Sequence, residues 1–359
     1  MPLAYQHVST RISNVQGLGL TENDLATALR TVVTTWLIDE GVEAAELALK
    51  NPQMLAHQLA EALHEELVAT EIEVNIDELL QGNPAIHLRG VFDTSTLPVT
   101  PQQFFPVPSS KSTLAARIAV IAVHSFLGLE TIAYGSENSG HLFVNLVTLP
   151  GEGLFADKSK DKMSGHTDAV SFPFAGEQDM KYPRISASPD FVTLAGLRNP
   201  DQVPTTVMPL KAILEQLRGD DIDELLKKQF LVRSQLTFRR GTKAIIGEEH
   251  AMTGASILHR VSDETWVRFS HRSVGADESQ TAALKAVEAF KTACPDIAIP
   301  TVIEPGDILL LNNRRALHGR GAPGGAIGGE SRWILRTYGL KATAISDRNR
   351  TGQPGVLYP

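Results

Sequence analysis

The sequence predicts a mainly β protein with flanking helices (α+β), built on a β-sandwich or jelly roll. Beyond about residue 130, short β-like runs are separated by Gly, Pro, Asn and Asp, and they do not alternate regularly with helices. Earlier in the chain, residues 21–70 repeat their apolar residues at helical spacing. A parallel doubly wound sheet needs regular strand–helix alternation, so the sequence disfavours that class.

The first helices form an N-terminal extension, which we place at residues 1–84. Thr21 stands where an N-cap is expected, and Gly41 and the Asn51-Pro52 pair predict breaks between two or three helices. We expect this helical extension to pack on one β-domain, residues 85–359, because no internal repeat or low-complexity tract divides the chain further.

Within the β-domain, helices are predicted at residues 112–128, 209–228 and 278–293. The strand candidates are the runs LFVNLVTL, AVSFPF, FVTLAGL, FLVRSQLTF, WVRFSH, DILLLNN and RWILRTYGL. Strands this short and numerous are typical of a sandwich or jelly roll.

Composition excludes several function classes. The chain has 359 residues, 42% of them hydrophobic, and a net charge of −8, so no basic surface indicates a nucleic-acid partner. A single cysteine, Cys294, excludes an intrachain disulfide and is typical of a reducing compartment. No apolar stretch has the length of a signal peptide core or a membrane span. We therefore expect a cytoplasmic protein with no membrane contact, and a homo-oligomer is left open.

A glycine-rich stretch, ALHGRGAPGGAIGGESRWILR at residues 316–336, contains the G-x-G-x-x-G spacing of a phosphate-binding loop. A dinucleotide loop follows a strand and opens a helix, whose N-terminus holds the pyrophosphate. Here Pro323 and further glycines lead into a β-like run instead, so we expect no phosphate site. The candidate functional residue is then His318, directly before the first glycine.

A second histidine, His166, lies two residues before Asp168 in SGHTDAVSF. Alternate residues of a strand share a face, so both side chains could point at one ion. In a chain with 11 histidines such a pair is common by chance, and a surface turn would also explain it. Together with His318, the set becomes two imidazoles and one carboxylate, which is typical of non-haem Fe(II) oxygenases.

Two arginines follow His318 in an apolar run, at Arg332 and Arg336. On a strand they would share a face about 13 Å apart. A buried guanidinium needs an anionic partner, and its planar fork binds a carboxylate through two hydrogen bonds. The spacing suits two separate carboxylates, one on a co-substrate and one on a substrate. Two internal salt bridges are the alternative.

With these residues in place, the chain resembles the Fe(II)/2-oxoglutarate-dependent oxygenases over about residues 85–345. Within that group it is similar to the clavaminate-synthase-like hydroxylases of arginine, asparagine and lysine. The resemblance rests on five blocks in this order: ENSGHLFVNLVTLPGEG, GHTD, SPDFVTLAGLRNPDQVPTTVMPL, IEPGDILLLNNRRALHGRG and RWILRTYG. It implies a double-stranded β-helix core, which is a cupin-like jelly roll, and an amino-acid hydroxylase that uses Fe(II), 2-oxoglutarate and O2.

The resemblance also implies roles for individual residues. His166, Asp168 and His318 would ligate Fe(II), and Arg332 would bind the distal carboxylate of 2-oxoglutarate. Thr206, in VPTTVM, would be a further co-substrate contact; a strand-end hydroxyl without a role is its alternative.

On the substrate side, Arg336 would bind the α-carboxylate of the amino acid. Glu137, in GSENSG, stands where the family places a polar side chain toward the α-amino group, and a surface turn is its alternative. Residues 212–250 match the position of a lid over the site.

The chain departs from the family pattern at two places. Many relatives have His-x-Glu where this chain has Asp168; aspartate is a competent iron ligand, and its presence disfavours a halogenase. The arginine hydroxylases carry an acidic pair before the distal histidine, where this chain reads WVRFSHRSVG, so arginine is disfavoured.

The block SPDFVTLAGLRNP favours free L-lysine as the substrate. Arginine or a neutral amino acid is the alternative within the class. From other classes, a zinc-dependent hydrolase would not need the two arginines. A non-catalytic jelly-roll binding protein would be expected to have lost at least one of the metal-binding or co-substrate residues.

Overall fold

The computed structural model describes residues 21–72, 75–80 and 83–359 of the chain. The first twenty residues of the expected extension lie outside these ranges. The centre of the described structure is a pair of facing β-sheets, and helices cover the outer side of each sheet. The predicted mainly β architecture with flanking helices is confirmed.

The N-terminal helices are α1 (Glu22–Ala48), α2 (Pro52–Ala69) and α3 (Ile76–Leu80). The Thr21 hydroxyl accepts a hydrogen bond from the backbone of Asp24 at 3.1 Å, and the Asp24 carboxylate accepts one from the backbone of Thr21 at 3.2 Å. This reciprocal cap satisfies two amide groups that the first turn leaves unpaired. Both predicted breaks are present, because Gly41 has φ of 80° inside α1 and Pro52 begins α2.

The remaining helices are α4 (Lys111–Phe126), α5 (Leu154–Lys160), α6 (Leu210–Glu215), α7 (Gly219–Leu226), α8 (Leu236–Ile246) and α9 (Thr281–Asp296). The predictions for α4 and α9 are correct to within a few residues. The single helix predicted at residues 209–228 is instead two short helices. Neither α5 nor α8 was predicted, and α8 begins with the last three residues of the run FLVRSQLTF.

The strands are β1 (Ala85–Leu88), β2 (Leu129–Tyr134), β3 (Val144–Leu146), β4 (Met163–His166), β5 (Phe191–Arg198), β6 (Thr205–Pro209), β7 (Phe230–Arg233), β8 (Ala251–Ala255), β9 (Leu258–Val261), β10 (Glu264–Val267), β11 (Val274–Gly275), β12 (Ile299–Thr301), β13 (Ile308–Asn312), β14 (Ala316–Arg320), β15 (Trp333–Lys341) and β16 (Val356–Leu357). The larger sheet has the order β1-β13-β5-β15-β2-β16, with β3 also paired to β15. The smaller sheet has the order β12-β6-β14-β4. Within these two sheets every pairing is antiparallel except that of β16 with β2.

Alternation along β13 shows how the larger sheet divides two cores. Ile308 and Leu310 pack in a cluster with α1, α2 and α4, whereas Leu309 and Leu311 face the space between the sheets. A strand places successive side chains on opposite faces, so one apolar run serves both layers. The described part of the N-terminal extension therefore shares its core with the β-domain.

The smaller sheet is covered on its outer side by α6, α7 and α9. Leu317 of β14 and Met208 of β6 belong to this outer cluster, whereas Val207 packs in the cluster between the sheets. His318, the neighbour of Leu317, is thereby directed between the two sheets.

Two of the strand predictions need correction. AVSFPF is not a strand: Ala169 has a left-handed φ of 51°, and the backbone of Phe172 donates to the Ala169 carbonyl, which closes a turn. Only the first two residues of WVRFSH lie in β10, because the backbones of Arg268 and Phe269 bind loop residues instead of a neighbouring strand. The alternation that suggested strands here reflects buried loop residues such as Phe172.

Candidate functional site

The two candidate histidines are partners on adjacent strands. In the antiparallel pairing of β14 with β4, His318 lies directly opposite His166, and their ring centroids are 4.5 Å apart. His166 Nδ1 donates to the carbonyl of Ser164 at 2.9 Å, which leaves Nε2 with its lone pair free to bind a metal. The fold therefore brings together two imidazoles that are 152 positions apart in the sequence.

Asp168 joins the histidines from a turn after β4, and not from the strand itself as the sequence suggested. The left-handed conformation of Ala169 bends the chain directly after it. Asp168 Oδ1 lies 3.4 Å from His166 Nε2, and Asp168 Oδ2 lies 4.0 Å from His318 Nε2. One ligand atom from each of the three residues lies within 4.8 Å of the others.

Asn313 holds the backbone of Asp168 and was not identified from the sequence. Its side-chain oxygen accepts from the Asp168 amide at 2.8 Å, and its side-chain nitrogen donates to the Asp168 carbonyl at 3.1 Å and to the Pro189 carbonyl at 3.0 Å. The signal was the polar pair that ends the apolar run DILLLNN, since a buried asparagine at a strand end must bind neighbouring backbone.

The charge states suit a cation. Burial and the nearby His166 lower the pKa of His318 to about 3 against the opposing charge of Asp168, so the imidazole is neutral at pH 7. Burial raises the pKa of Asp168, but the two neighbouring histidines and the positive charge of Arg336 outweigh this effect and hold the pKa below its usual range. The set thus offers a carboxylate anion and a neutral imidazole, which are the forms that bind metals.

Arg332 lies immediately before β15 and is buried. Within the described part of the chain it has no ion-pair partner, and its Nε atom has no hydrogen-bond partner. Burial lowers the pKa of its guanidinium to about 9, and the positive charge of Arg320 acts in the same direction. A buried guanidinium without an anion is unfavourable, so an anionic ligand here would stabilise the folded protein.

Arg336 differs from Arg332, because it is internally paired. On β15, its two terminal nitrogens bind the two oxygens of Glu137 at 3.1 and 2.7 Å, and Nη1 also lies 3.6 Å from Asp168 Oδ2. It also donates to the Tyr338 hydroxyl. Burial lowers the pKa of Arg336, but the charge of Glu137 outweighs it and raises the pKa above its ordinary value.

The structure decides two of the alternatives left open by the sequence. Arg336 forms an internal salt bridge, whereas Arg332 forms none within the described residues. Glu137 is only 4% exposed, so the surface-turn interpretation of this residue is wrong.

Thr206 does not line the cavity that contains these residues, whereas its neighbour Thr205 does. On β6 the two side chains face opposite ways, and Thr205 is paired with Arg320 of β14, on the same inner face as His318. Thr206 is instead paired with Gly319, where a Cβ atom would lie 2.7 Å from its hydroxyl and 2.5 Å from the Met163 carbonyl. The prediction of Thr206 was therefore one residue out of register with the inner face.

The segment predicted to be a lid, residues 212–250, contacts different parts of the protein along its length. Its first part packs through Ile213 and Leu225 into the cluster with α9. Only Gln235 and Thr237, at the start of α8, line the cavity. Gln235 donates to the Thr167 carbonyl at 3.0 Å, which connects this segment to the turn of Asp168.

The glycine-rich stretch forms no phosphate loop. Gly319 lies within β14, and Gly321 and Gly324 lie in a loop that leads to β15 and opens no helix. The expectation of no phosphate site is consistent with this geometry.

One cavity between the sheets joins all these groups. Its apolar wall includes Phe104, Val144, Leu146, Val147, Phe155 and Leu194. In the described chain its charged lining consists of two carboxylates, Glu137 and Asp168, and four basic side chains, Lys158, Arg320, Arg332 and Arg336.

Among the described residues, none of the helices combines the length and the apolar character that crossing a lipid bilayer requires.

Comparison with known proteins agrees with this geometry. The model of the taurine catabolism dioxygenase TauD/TfdA family matches residues 204–338. Enduracididine β-hydroxylase from Streptomyces hygroscopicus is 24% identical over 269 residues, which cover 68% of this chain and 72% of that protein. L-lysine 3-hydroxylase from Catenulispora acidiphila is 25% identical over 262 residues, which cover 70% of this chain and 65% of that protein.

Among solved structures, the non-haem iron oxygenase OrfP in complex with Fe, succinate and (3S)-hydroxy-L-Arg has the same fold. The match has a TM-score of 0.71 at 19% identity and covers 96% of this chain and 100% of that one. The resemblance inferred from the sequence motifs is confirmed: in sequence and in fold, this chain is similar to the iron- and 2-oxoglutarate-dependent amino-acid hydroxylases of the TauD/TfdA group.

Proposed function

We propose that this protein is an Fe(II)/2-oxoglutarate-dependent dioxygenase that hydroxylates a side-chain carbon of a free L-amino acid. One observation carries the proposal: three metal-binding side chains converge in a cavity that also contains a buried guanidinium without an anionic partner among the described residues. OrfP, which shares the fold, is solved with Fe and α-ketoglutaric acid.

His166, Asp168 and His318 are the proposed iron ligands. Two imidazoles and one carboxylate form the facial set that leaves the remaining positions of an octahedral ion open for co-substrate and oxygen. The Nδ1 hydrogen bond of His166 and the double clamp of Asn313 on Asp168 would orient two of the three ligands before iron binds.

Arg332 is the proposed partner of the distal carboxylate of 2-oxoglutarate. Its lack of an internal partner supports this role, because a dicarboxylate would neutralise a charge that the protein leaves unpaired. Thr205, on the inner face of β6, replaces Thr206 as the proposed further contact.

Arg336 and Glu137 are the proposed partners of the amino acid's α-carboxylate and α-amino group. In the structure the two side chains bind each other, and a zwitterion carries the complementary pair of charges. Insertion of the zwitterion would exchange one buried ion pair for two, so no charge would be left unpaired.

Bound iron and 2-oxoglutarate would supply the oxidative chemistry that activates O2 and hydroxylates a C–H bond. The residues of this chain contribute positioning and exclusion of water. Arg336 and Glu137 fix one end of the substrate, and the apolar wall formed by Phe104, Val144 and Leu194 lines the cavity around the side chain.

Lysine is the substrate that the sequence favours, and a lysine 3-hydroxylase is among the similar proteins. The cavity does not support this choice. Of its two carboxylates within the described chain, Asp168 belongs to the proposed metal site and Glu137 is engaged by Arg336. A lysine side-chain ammonium would therefore be desolvated without a free anion to pair with.

The test is turnover of 2-oxoglutarate. The purified protein, loaded with Fe(II) and supplied with 2-oxoglutarate and ascorbate, is assayed for succinate release against each of the twenty free amino acids. We expect amino-acid-dependent succinate release that is lost in His166→Ala and His318→Ala. Activity with zinc alone, without succinate release, would support the hydrolase instead, and binding of amino acids without any turnover would support the binding protein.

A further inference from the structure

Lys158 is a basic residue of the cavity to which the proposed reaction gives no role. It lies on α5, three residues after Phe155, so both side chains are on one face of this short helix and both line the cavity. Phe155 packs edge-to-face on Phe104, with ring centroids 6.4 Å apart. Lys158 and this aromatic pair thus line the same cavity.

The backbone around Lys158 is fixed to the strand that carries His318. Arg320, two residues after His318, donates from Nη2 to the carbonyls of Lys158 and Ser159 at 3.2 Å each and to that of Asp161 at 2.6 Å. These bonds satisfy carbonyls at the end of α5. Because β14 also supplies a proposed iron ligand, the position of α5 relative to the metal site is set by the same strand.

Within the described part of the chain, the backbone carbonyl of Lys158 accepts a hydrogen bond, but its side chain has no hydrogen-bond or ion-pair partner. Burial lowers the pKa of its ammonium, and the charges of Asp168 and Glu137 oppose this effect. A half-buried cation in this situation gains stability from an anion that enters the cavity.

From this placement we infer that Lys158 recognises a carboxylate on the side chain of the substrate, so that the enzyme acts on an acidic amino acid and discriminates against lysine and arginine. The inference rests on the proposed hydroxylase function and names the substrate class for the same site.

The other anions expected in the cavity already have partners. The distal carboxylate of 2-oxoglutarate is assigned to Arg332, and the α-carboxylate of the amino acid is assigned to Arg336. Arg320 is satisfied in part by the carbonyls at the end of α5. Although Nε of Arg320 is buried without a partner, its Nη2 is held by those carbonyls, whereas the side chain of Lys158 forms no hydrogen bond within the described residues and can bind a third carboxylate. A cationic substrate would instead add a charge to a lining in which four basic side chains face two carboxylates.

The experiment is anaerobic calorimetric titration of the protein loaded with Fe(II) and 2-oxoglutarate, using L-aspartate, L-glutamate, their amides L-asparagine and L-glutamine, and L-lysine. We expect tightest binding of one of the two acidic amino acids. Lys158→Met, which keeps much of the length of the side chain, should weaken that binding by about 10- to 100-fold, the range for a hydrogen bond to a charged group. Lys158→Arg should retain most of it, and Lys158→Glu should reverse the preference toward lysine.

Lys162→Met is the matched control, because Lys162 is exposed and lies outside the cavity lining. It should leave the affinities unchanged. Tighter binding of a neutral or basic amino acid, with no effect of Lys158→Met, would overturn the inference while leaving the hydroxylase intact. Weaker 2-oxoglutarate binding in Lys158→Met, at unchanged amino-acid affinity, would also overturn it by assigning Lys158 to the co-substrate. Absence of succinate release with every amino acid would instead refute the proposed function itself.

Discussion

At the scale of single residues, two arginines four positions apart, Arg336 on β15 and Arg332 directly before it, have different partners. Arg336 is held by Glu137, and Arg332 has no anionic partner within the described residues. The sequence predicted that both lie on one buried face, but it could not tell which of them is paired, because Glu137 is 199 positions away from Arg336.

Replacement of the two arginines by methionine should therefore have different effects on the free energy of unfolding. Arg336→Met leaves the Glu137 carboxylate buried without its partner, and we expect the free energy of unfolding to fall by about 3–5 kcal/mol. Arg332→Met removes an unpaired buried charge, and we expect the stability without ligands to change by less than about 1 kcal/mol or to rise. Urea unfolding of both variants measures this difference.

The same variants test the co-substrate site. Added to the metal-loaded protein, 2-oxoglutarate should raise the unfolding midpoint of the unsubstituted protein further and should raise that of metal-loaded Arg332→Met much less, because a ligand stabilises only the state that binds it. Equal destabilisation by the two substitutions, or an undiminished response of Arg332→Met to 2-oxoglutarate, would contradict the assignment.

Asn313 offers a second test at this scale. Asn313→Ala removes both hydrogen bonds that fix the backbone of Asp168, and we expect iron affinity to fall about 10- to 100-fold, as for other groups that orient metal ligands. Asn312→Ala is the neighbouring control, because Asn312 accepts from the backbone of Arg314 and does not contact Asp168. Anaerobic titration with Fe(II) measures both affinities, and equal values for the two variants would count against a positioning role.

At the scale of elements, α1 is attached to the β-domain through a buried carboxyl group. Glu22 Oε1 accepts from the backbone of His87, at the first strand, at 3.1 Å. Burial raises the pKa of Glu22 to about 7, and this effect outweighs the hydrogen bond from His87 and the charge of Arg89. The contact between the extension and the sheet should therefore depend on pH.

The folded state binds the Glu22 proton more tightly than the unfolded state, whose pKa is the ordinary 4.5. The contribution of the protonated Glu22 carboxyl group to the free energy of unfolding is thus fully present below pH 4.5 and is lost as pH rises to about 7. Glu22→Gln keeps the hydrogen-bond acceptor but does not titrate. Between pH 5 and pH 8, its free energy of unfolding should therefore rise by on the order of 2 kcal/mol relative to that of the unsubstituted protein. Urea unfolding at both pH values checks this, with exposed Glu43→Gln as the control on the same helix. If the free energies of unfolding of Glu22→Gln and the unsubstituted protein differ by the same amount at both pH values, the pKa of Glu22 does not change on folding.

At Gly241, the helix α8 lies so close to the segment before Glu137 that no side chain would fit at this position. A Cβ atom at Gly241 would overlap the carbonyl of Ser136, directly before Glu137. Gly241→Ala should lower stability by about 1–3 kcal/mol and raise the KM for the amino acid, because the turn of Glu137 must move. Gly219→Ala in α7, where a Cβ meets nothing within 4 Å, is the control. Unchanged melting temperature and KM in Gly241→Ala would refute this close packing.

Elements were predictable where the pattern was local. The cap at Thr21, the break at Gly41 and the long helix α4 follow from neighbouring residues, and the structure contains all three. The failures involve long-range contacts: AVSFPF alternates like a strand but is a buried turn, and Thr206 is displaced by one position from the inner face that its pairing with β14 defines. Register with a distant strand decides such faces, and it cannot be derived from one segment alone.

At the scale of the whole molecule, the two facing sheets bring the residues of the proposed site together. The smaller sheet supplies His166 and His318 from adjacent strands, and the larger sheet supplies Arg336 from its inner face, with Arg332 directly before the same strand. Helices on both outer sides bury the remaining faces, so the space between the sheets can hold polar groups without losing the apolar cores. The sequence predicted this convergence only through its motifs, because the residues lie up to 170 positions apart.

The most direct test of the central claim is a crystal structure of the protein loaded anaerobically with Fe(II) and 2-oxoglutarate, with anomalous scattering used to locate the iron. We expect one iron bound by His166, Asp168 and His318, and the distal carboxylate of 2-oxoglutarate paired with Arg332. Iron bound elsewhere, or 2-oxoglutarate bound with Arg332 left unpaired, would contradict it.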